Sequence, residues 1–233
     1  MDSHFIAYMY RLQYIERWSL MRNTTRENVA EHSYHVALLA HMLCEIGNRI
    51  FGRKLNADRA ASMALFHDAT EVFTGDIPTP VKHHNPRMLA NFRELEAMAA
   101  ERLLGMVPQA LQPAYAPLVS GKAAHVTSMA ADAADAGADA GEAGADADST
   151  AGLPPRPDAG QERELLKILK AADLLDAYIK CLSELSSGNR EFAVAKGQIE
   201  QSLALLRMPE IDWFLTHMAP SFSKTLDELS ADE

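Results

Sequence analysis

The chain of 233 residues is 48% apolar and 23% charged, enough to bury the core of one large domain, and its formal charge of −10 argues against general nucleic-acid binding. Cys44 and Cys181 are the only cysteines and form no C-x-x-C spacing, which excludes a disulfide framework and a thiolate metal site and points to a reducing, cytoplasmic setting. No stretch approaches the ~18 apolar residues of a membrane span, and no targeting segment is expected.

In chain order the pattern is helical throughout, with no strand signals. A first helix is predicted from about Ser3 to Ile15. A long one follows Asn28, where Glu31 three residues on completes a capping box. A third starts near Asn56 and runs on to just before Gly75. Asn85 and Pro86, a favoured cap and first-turn pair, open a fourth. Shorter pieces follow Pro108, long helices span roughly Glu162 to Leu185 and Asn189 to Leu206, and Pro209 opens the last. The expected fold class is an all-α helical bundle.

Residues 123–160 interrupt this order with Ala, Gly and Asp in near-repeat, ending on a Pro-rich stretch. They carry seven acids against Arg156 alone, a net of −6 that leaves only −4 for the remainder. Such a composition buries too little apolar surface to order a backbone, so a disordered acidic insertion is expected. A short Ala-rich helix over about 128–136, stopped by Gly137, is the rival reading.

The polar residues that face inward carry the functional argument. After Asn28, the residues Val36, Leu39, Leu43 and Ile46 fall within about 40° of His32 on a helical projection, so His32 points into the core. His35 lies at the edge of that stripe and His41 opposite it, so both read as ordinary side chains. On the next helix His67 shares a face with Ala60, Met63 and Ala64, Asp68 stands on the flank, and Glu71 follows at i+4. Beyond the insertion, Asp173 lies in line with Leu166, Leu169 and Ala177, while Asp176 falls toward the edge and is the weaker candidate.

A lone inward histidine is more often a satisfied core residue, and a lone buried carboxylate would be driven neutral. Two imidazoles and two carboxylates together can instead surround one divalent cation. That donor set suits Mn²⁺, Fe²⁺, Co²⁺ or Zn²⁺ better than Mg²⁺. The two carboxylates cancel the ion's charge, so an anionic substrate needs another cation. Arg17 could supply a guanidinium fork, though taken by itself it reads more readily as half of a surface ion pair. Trp18 reads equally as a core anchor; for Glu71 the rival is a helix-surface carboxylate capping a turn, which the face it shares with His67 disfavours.

His32, the His67–Asp68 pair and Asp173 resemble the H…HD…D signature of the HD superfamily of metal-dependent phosphohydrolases. The stretches RWSLMRNTTRENVAEHS, HDATEVFTGDIPTPVK and KAADLLDAYIKCLSEL, the Ser3-His4-Phe5 start and PSFSKTLDEL are similar to those of the bacterial 5′-deoxynucleotidases. The resemblance covers residues 1–121 and 161–233; the members it is drawn from lack the insertion. It implies one HD domain over residues 1–233, in a homodimer that hydrolyses deoxyribonucleoside 5′-monophosphates with a divalent metal, Co²⁺ or Mn²⁺ in assays. It implies metal ligation by His32, His67, Asp68 and Asp173, with Asp173 also touching substrate. Arg17 would orient the phosphate, and Trp18 would lie against the sugar and exclude a 2′-hydroxyl. Glu71 would act near the attacking water, with Asp76, Ile77, Pro78 and Thr79 lining the pocket. An HD enzyme for nucleoside triphosphates or cyclic nucleotides, with Arg22 and Lys82 as possible helpers, and a non-catalytic nucleotide-binding module are the alternatives. No nucleic-acid or membrane partner is expected.

Overall fold

The computed structural model describes residues 2–82, 84–120 and 159–231, and the insertion expected at 123–160, with its rival helix, lies almost wholly outside them. Among the described residues there are helices and no strand, as the apolar periodicity requires. The helices are α1 (Phe5–Met9), α2 (Val29–Ile50), α3 (Ala57–Phe66), α4 (Glu71–Thr74), α5 (Thr79–Lys82), α6 (Pro86–Met106), α7 (Gln112–Val119), α8 (Ala159–Ser186), α9 (Ala193–Leu206), α10 (Pro209–His217) and α11 (Leu226–Ala231). Short 3₁₀ turns fill several joints, including Tyr10–Tyr14, which takes over from α1, and Ala219–Ser223 after α10.

Asparagine side chains start three of the long elements. Asn28 Oδ1 accepts the Glu31 amide at 3.0 Å and Glu31 Oε2 accepts the Asn28 amide at 3.2 Å, so the capping box is complete. Asn56 and Asn85 cap α3 and α6 through the amides of Arg59 and Met88. Each such cap contributes about 1 kcal/mol.

The helix predicted from Asn56 to Gly75 divides in two. Regular winding stops at His67, and the amides of His67, Ala69 and Glu71 bond to carbonyls three residues back, on Ala64, Phe66 and Asp68. Gly75 at φ 71° then ends α4 in a backbone conformation that glycine adopts without strain.

Helix α2 lies at the centre, with α3, α8 and α10 against it. Val36, Ala40, Leu43 and Cys44 of α2 meet Ala60, Met63 and Ala64 of α3 and Leu165, Ile168, Ala172 and Leu175 of α8, all buried. Each large side chain there contributes roughly 1.5–3 kcal/mol by leaving water. A second apolar cluster joins Phe5, Ala69, Ala100, Leu103, Val107 and Val119. Ala64 belongs to the first cluster and Ala69 to the second, so the turn bearing His67 and Asp68 is gripped from both sides.

Candidate metal centre

In the first turn of α2 the capping box orients His32, whose ring is completely buried. Its Nδ1 lies 2.6 Å from Asp176 Oδ2 of α8. A carboxylate accepts, so Nδ1 carries the proton and Nε2 is left with its lone pair. At His67 the Nδ1 donates to the Ala64 carbonyl at 2.7 Å, and Nε2 is again the bare nitrogen. Neither Nε2 has a hydrogen-bond partner among the described residues.

Both bare nitrogens face carboxylate oxygens. Asp68 Oδ2 is 3.1 Å from His67 Nε2 and 3.4 Å from His32 Nε2, and Asp173 Oδ1 is 3.4 Å from His32 Nε2. The donor atoms of His32, His67 and Asp68 all lie within 4.8 Å of one another. Lone pairs and anionic oxygens this close, out of water, repel unless positive charge stands between them. The arrangement therefore fits a cation, and the outward nitrogens of both rings are fixed by hydrogen bonds as metal-ligating histidines require. Asp173 keeps a quarter of its side chain exposed, leaving the centre open on that side.

Where no ion stands among them, the same carboxylates favour a second proton on the His32 ring. Burial alone would depress the pKa of His32, but hydrogen bonds to Asp173, Asp176 and Asp68 outweigh it and push it well above 6.5. Burial raises Asp173, yet His32 and Lys170 hold it well below the usual carboxylate range. The negative charge that draws a proton here would equally draw a divalent ion.

Arg17 borders the centre. Its side chain is only 11% exposed, with Nε 3.6 Å from Glu27 Oε1 and Nη1 3.9 Å from Asp68 Oδ2. The surface ion pair is thereby excluded. Burial lowers its pKa, but Glu27, Asp173, Asp68 and Asp76 together raise it, so Asp76 belongs to the same field. Trp18 is half-buried, tilted against Phe192 at 5.4 Å between ring centroids, with an indole N–H that has no hydrogen-bond partner among the described residues. Its φ of 54° is a left-handed conformation that costs a bulky residue roughly 1–3 kcal/mol.

Glu71 is buried at the start of α4, one turn after Asp68, with Lys82 Nζ 3.7 Å from its Oε1. The continuous helical face expected to join it to His67 is replaced by the turn. Ile77 and Pro78 are half-buried and Thr79 is exposed. Arg22 is 91% exposed and pairs with Glu191. His35 and His41 are exposed, as their angular positions imply.

Two residues close to the centre escape sequence reasoning. Asp176, weighted below Asp173, is the partner that sets the tautomer of His32. Glu27 is buried in a loop with no periodicity to mark it, and its Oε1 is 3.9 Å from His32 Nδ1. Burial pushes Glu27 up to about 7 against the pull of Arg17, while His32 and His35 hold Asp176 below its ordinary value against its own burial.

A model of the family described as YfbR-like, 5′-deoxynucleotidase YfbR-like, matches residues 4–140 and 156–222. The chain belongs to the YfbR-like 5′-deoxynucleotidase family. A 5′-deoxynucleotidase from Photorhabdus temperata is 40% identical over 230 residues, covering 99% of this chain and 98% of that protein. One from Vibrio vulnificus (strain YJ016) is 39% identical over 229 residues, covering 98% and 99%. Among solved structures, an HD-domain phosphohydrolase from Listeria innocua aligns with a TM-score of 0.68 at 22% identity, covering 94% of this chain and 88% of that one. A cyanophage S-2L HD phosphohydrolase, described as bound to dA and one catalytic Zn²⁺ ion, aligns at 0.52 and 18%, covering 92% and 96%. These likenesses give the helical bundle its fold, the HD domain.

Proposed function

We propose that this chain is a metal-dependent phosphomonoesterase that hydrolyses deoxyribonucleoside 5′-monophosphates to a deoxynucleoside and phosphate. The observation that carries it is the convergence of two imidazole nitrogens with Asp68 and Asp173 beside an Arg17 whose side chain is 11% exposed, in a chain 40% identical to a 5′-deoxynucleotidase.

His32, His67, Asp68 and Asp173 would hold one divalent transition ion, with Co²⁺ or Mn²⁺ supporting activity in assays. Such an ion supplies Lewis-acid charge to the phosphoryl group and acidifies water at neutral pH. Arg17, aimed at Asp68, offers its guanidinium fork to the phosphate oxygens and stabilises charge that gathers on them. Glu71 accepts the proton released by the attacking water. Asp76 and Asp173 contact the substrate, with Asp76 beside Arg17 holding the sugar or serving the departing 5′-oxygen. Trp18 lies against the sugar and leaves no space for a 2′-hydroxyl, which selects deoxyribose, and Ile77, Pro78 and Thr79 line the pocket.

The same reading extends to organisation. Residues 1–233 form one HD domain interrupted near 123–160. Two copies make a homodimer, for which Tyr34, Leu38 and Met42 on the exposed face of α2 offer apolar contact. The setting is the cytoplasm, which the two free cysteines suit. No described helix is long and apolar enough to cross a membrane.

The test is phosphate release by purified protein with Co²⁺ or Mn²⁺ from a panel of mono-, tri- and cyclic nucleotides. Selective turnover of deoxyribonucleoside 5′-monophosphates is expected. Preference for triphosphates or cyclic nucleotides, or no turnover at all, would replace the reading with another HD activity or a binding module.

A further inference from the structure

The strained backbone of Trp18 is held by a staple outside the proposed metal ligands. The segment between Arg17 and Asn28 closes at its base, where the Arg17 amide donates to the Glu27 carbonyl at 2.9 Å and the Val29 amide to the Ile15 carbonyl at 3.0 Å. Its outer end is fastened to one carboxylate. Glu184, buried on α8, accepts from the amides of Thr24 at 2.9 Å and Thr25 at 3.1 Å, from Asn189 Nδ2 at 2.8 Å and from Lys180 Nζ at 2.5 Å.

The neighbours reinforce the same segment. Asn189 Nδ2 also donates to the Arg22 carbonyl at 2.7 Å, and Lys180 Nζ donates to the Thr25 carbonyl. Asn23 Nδ2, one residue before the stapled amides, reaches back to the Trp18 carbonyl at 3.1 Å. The indole rests on Phe192, which is fully buried three residues after Asn189. A left-handed tryptophan does not hold itself; the surrounding structure must over-determine it. Glu184 is the acceptor on which that structure converges.

We propose that Glu184, with Asn189, is a positioning residue for sugar selection: it fixes the loop that presses Trp18 against the site and so sets the preference for deoxyribose. The inference rests on the reading of Trp18 as the residue that excludes a 2′-hydroxyl. Glu184 is not one of the residues read as holding metal or substrate; it acts on the loop through Thr24, Thr25, Asn189 and Lys180. A carboxylate can accept from all four donors, whereas an amide of the same shape turns an NH₂ toward at least one of them.

The experiment compares kcat/KM for dAMP and AMP with Mn²⁺ in full-length wild type, Glu184→Gln, Asn189→Ala and Trp18→Ala, alongside calorimetric titration of each metal-free protein with Mn²⁺. Glu184→Gln is expected to lower the dAMP to AMP ratio about tenfold while Mn²⁺ affinity stays at the wild-type value. A merely structural defect would weaken both substrates alike and leave the ratio in place. An unchanged ratio in Glu184→Gln, with a lowered one in Trp18→Ala, overturns the positioning role. An unchanged ratio in Trp18→Ala as well overturns the underlying reading of Trp18. Should Glu184→Gln fail to fold, Asn189→Ala at a half-buried position decides by the same ratio.

Discussion

Asp176 on α8 accepts the Nδ1 proton of His32 on α2 at 2.6 Å, a contact between residues 144 positions apart. It orients the ring so that Nε2 faces Asp68 and Asp173. A partner behind a metal-ligating histidine typically accounts for 10- to 100-fold in metal affinity. Asp176→Asn should therefore weaken Mn²⁺ binding to metal-free protein by about that factor, with turnover largely restored at saturating Mn²⁺. Calorimetric titration reads the affinity directly, and wild-type affinity in the variant would remove Asp176 from this role.

His67→Ala and Asp173→Ala each delete a donor from the centre. Metal-dependent phosphate release from dAMP should be lost in both, with helical content by circular dichroism unchanged. Near-normal turnover in either variant would take that residue out of the site.

Replacing Trp18 by alanine should narrow the gap between dAMP and AMP by admitting the ribonucleotide. Steady-state kinetics on the pair check this. An unchanged ratio places discrimination elsewhere in the pocket.

Much of this was legible in the sequence. The periodicity around Val36, Leu39 and Leu43 turned His32 inward, and Asn28, Asn56 and Asn85 marked true helix starts. What escaped has a common physical cause. The break at His67, the left-handed Trp18 and the buried Glu27 sit where the backbone leaves regular winding, and periodicity says nothing there. Asp176 sits on a regular helix, but its weight depends on Nδ1 of a ring on another helix, a tertiary contact that no single-helix projection contains.

Glu184 gives a pH signature. Burial raises its pKa, but hydrogen bonds from Lys180, Asn189, Thr24 and Thr25 bring it down to about 2, below the ordinary 4.5. A group depressed in the folded state contributes stability that is present above its unfolded pKa and lost as pH falls toward the folded one. Urea midpoints should fall between pH 4.5 and about 2, and the fall should be shallower in Glu184→Gln. Parallel profiles would show that the staple carries no such linkage.

Residues 141–155 lie outside the family match, within the Ala, Gly and Asp stretch. Deleting them should leave kcat/KM for dAMP within about twofold of the full chain, because none of the proposed site residues lies among them. A folded but inactive deletion variant would give the stretch a role.

The claim on which the others depend is that one divalent ion sits among His32, His67, Asp68 and Asp173. Titration of EDTA-treated protein with Co²⁺, followed by visible absorption, tests it most directly. One equivalent should develop d–d bands characteristic of mixed nitrogen and oxygen ligation, and Asp173→Ala should weaken them. Absence of any bound Co²⁺, or a spectrum indifferent to both His67→Ala and Asp173→Ala, would contradict the account.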